Sequence, residues 1–248
     1  MARTRSKRIL LRVLWSLGAL VVLLVVGTVV WSQVGVMGAE PGPLAEAEKN
    51  SAVTIVQAPE GIVLSPADSD SAVGLVFVPG AKVQPEAYIS TLQGLAADDG
   101  ITVVITRPWL NLAFFDPRGL DAFTSAAPGI GTWIVGGHSL GGVRACQLAP
   151  DADALALFAS YCANDLSESG LPVLSLSGSE DGLSTPQKIA DARHLLPEGA
   201  ELIEIDGASH ASFGAYGPQA GDGTPTISAG DMRAQITESV GALAGGLE

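Results

Sequence analysis

Positive charge is scarce beyond the first dozen residues of this chain. Five cations precede or open the first apolar run, which leaves eight of the 13 for the remainder of the 248 residues, against all 26 carboxylates. A region this acidic repels nucleic acid and anionic lipid headgroups, so nucleic acid is not an expected partner. The simplest interpretation of the acidic charge is solubility, and an acidic recognition surface is the alternative.

Histidine and cysteine are also few. Only His138, His194 and His210 are present, so a histidine that acts as a general base must be one of three. Cys146 and Cys162 are the two cysteines, and they suit an oxidising compartment without establishing a bridge. Two separate buried thiols are the expectation.

Charge is absent from residues Val13 to Trp31, which are apolar or small throughout. Nineteen helical residues at about 1.5 Å each span the hydrocarbon core of a bilayer. The preceding cations predict a cytoplasmic N-terminus and an extracytoplasmic remainder. A cleaved signal peptide stays open as the alternative, with a weak cleavage site near Ala39. The predicted organisation is a basic tail (1–12), a transmembrane anchor (13–31), a tether with little structure (32–50) and one domain (51–248).

Short apolar runs alternate with helical patterns through the domain, with no internal repeats. This alternation predicts an α/β fold with a doubly wound, mostly parallel sheet and helices on both faces. The link from Ser160 to Pro172 is too short for a cap domain. The predicted strands are Ala52–Gln57, Gly61–Leu64, Val73–Val78, Ile101–Thr106, Thr132–Val135, Ala154–Ala159, Pro172–Ser177 and Glu201–Ile205, of which the first two form a hairpin. The main predicted helices are Pro85–Asp98, Thr185–Leu196 and Ser228–Leu243.

A G-x-S-x-G pattern, Gly137 to Gly141, stands between a predicted strand and a predicted helix. This context is typical of a nucleophile elbow, which presents the serine hydroxyl on a tight turn above the sheet. Ser139 is therefore the predicted nucleophile. His138 is adjacent in sequence, but its side chain points away from the nucleophile on such a turn, so we expect it to pack beneath the elbow.

The general base is expected in a loop after a strand, because ligand sites of α/β sheets lie at the carboxyl ends of the strands. His210 follows the last predicted strand, whereas His194 lies within a helix and is expected at the surface. The order Ser139, acid, His210 is the order of this architecture.

Four carboxylates compete for the role of the acid that orients the base. Asp181, after the penultimate strand, is the predicted acid, and Asp165 is the reserve. Glu180 is expected to point outward, and Asp206 is expected to cap a turn.

The oxyanion is predicted to bind the backbone N–H groups of Leu140 and Ala81, which follow the nucleophile and the Val73–Val78 strand. Lys82 is either solvated or placed to attract an anionic substrate. The Gly- and Pro-rich loop 211–226 is predicted to form an ordered flap beside His210, with a surface loop as the alternative. Phe213 and Tyr216 are the possible pocket walls, and Gln219 and Asp222 are expected to tie the loop down.

These motifs resemble the α/β-hydrolase superfamily, in particular its cap-less, dienelactone-hydrolase-like branch. The stretch after His210 is similar to a group of bacterial predicted hydrolases of undefined substrate. Dienelactone hydrolases proper use a cysteine nucleophile, and Ser139 departs from that pattern. The resemblance implies a serine esterase with a Ser-His-Asp triad, a small acyl substrate, and neither metal nor organic cofactor. An acyltransferase on the same site and an inert anchored binding module are the alternatives, and the sequence does not reveal an oligomeric state.

Overall fold

The structure, a computed structural model, describes residues 2–247, with side chains from Leu10 onward. Helix α1 (Ala2–Gln33) opens the chain. Its stretch Leu10–Gln33, 24 residues with a mean hydropathy of 2.6, is long and apolar enough to cross a membrane, and none of the window is buried against the domain. The predicted span 13–31 lies within this stretch.

Eight strands form one mixed sheet in the order β1-β2-β4-β3-β5-β6-β7-β8. The two pairings β1–β2 and β2–β4 are antiparallel, and every later pairing is parallel. The predicted strands and the opening hairpin agree with this sheet, so the α/β fold class is confirmed. The strands are β1 (Val53–Gln57), β2 (Gly61–Pro66), β3 (Val73–Val78), β4 (Thr102–Thr106), β5 (Thr132–His138), β6 (Ala154–Phe158), β7 (Val173–Gly178) and β8 (Glu201–Ile205).

Helices cover both faces of the sheet, which explains why strands β3 to β7 are nearly continuous apolar runs. One core joins the sheet to α2, α3 and α7, and a second core joins the opposite face to α4 and α5. The remaining helices are α2 (Pro41–Ala47), α3 (Ile89–Ala97), α4 (Leu120–Thr124), α5 (Leu140–Leu148), α6 (Pro186–Asp191) and α7 (Ala229–Gly245).

The expectation that residues 32–50 form a tether with little structure is wrong. This segment contains α2 and runs along the domain, where Met37 forms a β-bridge with Val83. The N–H of Glu40 also donates to Ala215 O at 2.8 Å. Composition suggested a linker, but Ala47 is fully buried in the core and fixes the segment in place.

The parallel strands all end at one edge of the sheet, and the loops that follow them converge there. The tight turn after β5 lies between the loops after β3 and β4 on one side and the loops after β7 and β8 on the other. The loop between β6 and β7 carries no helix, so no cap domain covers this edge.

Candidate active site

Ser139 lies at the turn between β5 and α5. Its backbone has φ 53° and ψ −122°, a conformation that L-residues rarely adopt. A Cβ at Gly141 would overlap the carbonyl oxygen of Val78, and a Cβ at Gly137 would lie 2.5 Å from the carbonyl carbon of Gly141. Both glycines are therefore needed for this turn to form. The side chain of Ser139 is half-exposed, as a nucleophile at the edge of the sheet requires.

His210 and Asp181 meet in the loops after β8 and β7. His210 Nδ1 lies 2.8 Å from Asp181 Oδ2, and both side chains are buried. The other carboxylate oxygen of Asp181 accepts the N–H groups of Leu183 and Ser184, each at 2.7 Å. The carboxylate is thus fixed, and it favours the tautomer of His210 with the proton on Nδ1, which leaves Nε2 to accept a proton.

The ring of His210 lies beside the elbow, because its centroid is 4.5 Å from the ring of His138, the neighbour of Ser139. The structure describes both residues, and it shows no hydrogen bond between Ser139 Oγ and the His210 ring. This contact is often long in a free enzyme and shortens when substrate binds.

His138 lies beneath the elbow and is buried. Its Nδ1 lies 2.9 Å from Tyr88 Oη, and its Nε2 lies 3.1 Å from His210 O. The hydroxyl of Tyr88 also accepts the N–H of Gly80 at 3.0 Å. These contacts are all satisfied if Tyr88 donates to Nδ1 and a neutral His138 donates from Nε2 to the carbonyl of His210.

Burial lowers the pKa of His138 well below its ordinary value, and the nearby charge of His210 lowers it further. Burial likewise raises the pKa of Tyr88 above its ordinary value. Both groups therefore stay neutral at physiological pH. They connect the loop after β3 to the backbone of His210. The sequence did not indicate this role for Tyr88, because an aromatic residue at helical spacing resembles an ordinary core residue.

The two backbone N–H groups that are predicted to bind the oxyanion have no acceptor among the described residues. One belongs to Leu140, the first residue of α5, and the other belongs to Ala81. The groups on either side of Ala81 are occupied, because Gly80 donates to Tyr88 Oη and Lys82 donates to Asn111 O at 2.8 Å. The N–H groups of Leu140 and Ala81 are thus free to bind an oxyanion, and their role as its donors stays a prediction.

Asp222 binds the flap to the site. Its carboxylate accepts N–H groups from Gly223 at 2.7 Å, Ala211 at 2.8 Å, His210 at 3.0 Å and Gly182 at 3.2 Å. Burial raises the pKa of Asp222, but the donors from Ala211, His210 and Gly182 outweigh burial, and the pKa lies below its usual value. One carboxylate therefore joins the loop of Asp181 to the loop of His210.

The predicted pocket residues Phe213 and Tyr216 do not form the wall of an open pocket. Phe213 is fully buried and packs against the rings of His138 and Phe158. Tyr216 is buried in the same core, and its hydroxyl donates to Gln219 at 3.1 Å. The flap is folded down, and its aromatic side chains point inward because burial of so much apolar surface outweighs leaving it at the mouth of the site.

Lys82 binds α1 instead of facing the substrate. Its Nζ donates to the carbonyls of Trp31 at 2.9 Å and Val34 at 3.2 Å and lies 3.8 Å from the centroid of the Trp31 ring. The side-chain amide of Asn111 donates to Ser32 O at 3.3 Å. These two residues cap the C-terminal end of α1, where the last carbonyls of a helix lack partners.

The alternative site residues lie elsewhere. Asp165 is exposed, and its pKa is lowered by hydrogen bonding to Ser167, without any contact to His210. Glu180 and His194 are exposed, as expected, and Asp206 is exposed too, so its expected role as the cap of a turn stays a prediction. Among the side chains that the structure describes, from Leu10 to Leu247, no cluster of three is suited to hold a metal ion.

Cys146 and Cys162 form a disulfide, so the expectation of two free thiols is wrong. The bridge connects α5, behind the nucleophile, to the loop after β6. In the same loop, Ser160 Oγ donates to Ser139 O at 2.6 Å. Sequence spacing did not predict the bridge, because the two cysteines approach each other only through the parallel pairing of β5 and β6.

The chain belongs to the alpha/beta hydrolase family, whose model matches residues 74–234. This range extends from β3 into α7 and contains the elbow, Asp181 and His210. Membership supports a hydrolase function. No curated protein matches the chain.

Proposed function

We propose that this protein is a serine hydrolase that cleaves an ester or a related acyl bond through Ser139, His210 and Asp181. The observation that carries the proposal is the buried contact of 2.8 Å between His210 Nδ1 and Asp181 Oδ2, placed beside a strained elbow serine. The absence of a cap and the motifs around the site favour the dienelactone-hydrolase-like branch of the family.

In the proposed mechanism, His210 Nε2 takes the proton of Ser139 Oγ as the oxygen attacks the acyl carbon. The N–H groups of Leu140 and Ala81 bind the oxyanion, and one such donor contributes roughly 3–4 kcal/mol in the transition state. The C–O bond to the leaving alcohol then breaks, and His210 gives its proton to that alcohol. A water molecule, deprotonated by His210, hydrolyses the acyl-enzyme and regenerates Ser139.

We further propose that α1 anchors the enzyme in the cell membrane, with the N-terminus cytoplasmic and the catalytic domain outside. The cations before the apolar stretch support this orientation. The disulfide between Cys146 and Cys162 also supports it, because disulfides persist in oxidising compartments.

Labelling by a serine-directed fluorophosphonate tests the proposal. Ser139→Ala should abolish labelling, and loss of a triad member should lower kcat by about 10⁴–10⁶-fold. Asp181→Asn should lower activity steeply, and Asp165→Asn is the matched control. If Asp165→Asn lost activity and Asp181→Asn kept it, the assignment of the acid would be wrong. A correctly folded wild type that neither labels nor cleaves any ester would instead support the inert binding module, and acyl transfer to an added alcohol would reveal an acyltransferase.

A further inference from the structure

An apolar surface lies beside the end of α1, in the loop after β4. The side chains of Trp109, Phe114 and Phe115 are 55%, 61% and 46% exposed, and Val34, just after α1, is 63% exposed. We call these four residues the rim. Single exposed apolar side chains are ordinary, but several large ones grouped in one loop are typical of a surface that contacts an apolar partner.

The rim is continuous with the helix that is suited to cross a membrane. Asn111, between Trp109 and Phe114, caps α1 through Ser32 O, and the buried Ser32 marks where helix and domain meet. A helix that crosses a bilayer ends at the interface, so with α1 in a membrane the rim would lie at that interface as well. Tryptophan and other amphipathic aromatics are typical of this depth.

The rim also adjoins the catalytic elbow. Asn111 O accepts the N–H of Lys82, the residue after the proposed oxyanion donor Ala81. The turn Ala113–Phe115 packs against α5, whose first residue is Leu140. The elbow and the exposed aromatics therefore share one edge of the domain, and with α1 in a bilayer that edge would face the membrane.

Charge around the rim differs from the rest of the domain. Four of the eight cations beyond the N-terminal cluster lie in or against the loops after β3 and β4: Lys82, Arg107, Arg118 and Arg144. Two of them are paired, Arg107 with Glu86 and Arg118 with Asp116. The edge beside the rim thus lacks the strong excess of carboxylates found elsewhere, which reduces repulsion from lipid phosphates.

We infer that the rim inserts into the outer face of the bilayer and that the substrate is a lipid ester that enters the site from the membrane. This inference rests on the proposed serine hydrolysis and names its substrate class. Ser139 Oγ bonds to the acyl carbon of the lipid, the ester C–O bond breaks, and the proton held by His210 goes to the departing lipid alcohol. Water then releases the fatty acid.

The test uses the full-length protein in phosphatidylcholine vesicles, with two substrates. One is a long-chain umbelliferyl ester dissolved in the bilayer, and the other is the water-soluble acetate ester. Replacing Trp109, Phe114 and Phe115 together by serine should lower the hydrolysis of the bilayer ester by about tenfold or more. The acetate rate should stay within about twofold, because no rim residue belongs to the catalytic machinery.

Leu202→Ser is the matched control for the single variant Trp109→Ser, because each replaces one exposed apolar side chain by serine. Leu202 is also exposed, at 40%, but it lies near the start of β8, on the opposite edge from the site. It should leave both rates unchanged. An equal loss of both rates in the rim variant, or no loss of either, would overturn the inference.

A second measurement does not depend on activity. Trp109→Phe should remove part of the fluorescence that is quenched by phosphatidylcholine brominated high on its acyl chain. Trp15 and Trp31 supply the remaining quenched signal, and the buried Trp133 supplies an unquenched background. Identical quenched fractions in the wild type and Trp109→Phe would overturn insertion of the rim.

A wild type that labels and cleaves the acetate but not the bilayer ester overturns the lipid substrate alone. One that does neither overturns the proposed hydrolysis, and the quenching result still decides where the rim lies.

Discussion

The two sides of the candidate site are held in different ways. On the base side, the loops after β7 and β8 are fixed from within the domain by the carboxylates of Asp181 and Asp222, which together accept six backbone N–H groups. On the oxyanion side, the loops after β3 and β4 are tied to α1 through Lys82 and Asn111. The proposed acid and base are therefore positioned by the domain itself, whereas the loop that carries the proposed oxyanion donor Ala81 depends partly on the helix.

The largest predicted effect comes from breaking the base side. Asp222→Ala leaves four N–H groups without their acceptor, and we expect it to lower the free energy of unfolding by on the order of 4 kcal/mol and to reduce kcat steeply. Hydrogen exchange should accelerate in 210–223 and not in 80–84. If exchange rose equally in both segments, the two sides would not be held independently.

The pH dependence of stability gives the same residue a second test. Because the pKa of Asp222 is lowered in the folded state, its contribution is present above its ordinary value, near 3.8, and is lost as the pH falls through the folded pKa. Asp222→Asn should therefore flatten the acid limb of the stability curve. An unchanged limb would contradict this role.

Removing the disulfide should lower the free energy of unfolding of the domain and loosen the base side and the oxyanion side to a similar extent. The bridge closes a separation of 16 residues, which corresponds to about 3 kcal/mol. The double variant Cys146→Ala, Cys162→Ala should lower Tm by about 6–12 °C, with similar exchange in both sides. A wild type whose Tm did not respond to a reductant that opens the bridge would contradict a stabilising role.

His138 connects the two sides, and its replacement should have a moderate effect that depends on pH. Because its folded pKa lies below the ordinary value of 6.5, the stability that it contributes is present above pH 6.5 and is lost as the pH falls below it, while the unfolded chain takes up the proton. Below pH 6.5, we expect the free energy of unfolding of the wild type to fall by up to about 1.4 kcal/mol per pH unit. The free energy of unfolding of His138→Gln, measured with urea at several pH values, should change less steeply with pH than that of the wild type. An equally steep change would show that His138 is not the titrating group.

Lys82→Met should have the smallest effect. Loss of the cation at the end of α1 costs about 0.3–1 kcal/mol, and exchange should accelerate in 80–84 and 109–115 but not in 210–223. Lys188→Met is the matched control, since Lys188 Nζ donates to Leu183 O on the base side at 2.8 Å. If both variants gave the same exchange pattern, the cap on α1 would not hold the oxyanion loop.

Local patterns were sufficient to predict the parts of this molecule that depend on neighbours in sequence. The apolar runs predicted all eight strands, and the turn from Gly137 to Gly141 predicted the strained backbone of Ser139, because each depends on residue type and spacing alone. The contact of His210 with Asp181 followed from the rule that parallel strands end at one edge.

The remaining features depend on contacts between residues far apart in sequence. Tyr88 and His138 are 50 residues apart, and nothing in the helical pattern around Tyr88 indicates a partner. The inward orientation of Phe213 follows from the space that the core leaves beneath the elbow, and the order in 32–50 follows from a β-bridge to Val83. Neither the orientation of Phe213 nor the order in 32–50 can be predicted from composition, because composition does not determine which surfaces come into contact.

The β-bridge at Met37 has a mechanical consequence. Only Val34, Gly35 and Val36 separate it from the end of α1 at Gln33, so any change of helix tilt that these three residues do not absorb displaces Val83 and the loop that precedes it. A span of 24 residues is about 36 Å long, more than the ~30 Å of a typical hydrocarbon core, and a helix of that length tilts to match the membrane. With α1 in a bilayer, the thickness of the membrane would therefore act on the loop of Ala81 through a connection of only three residues.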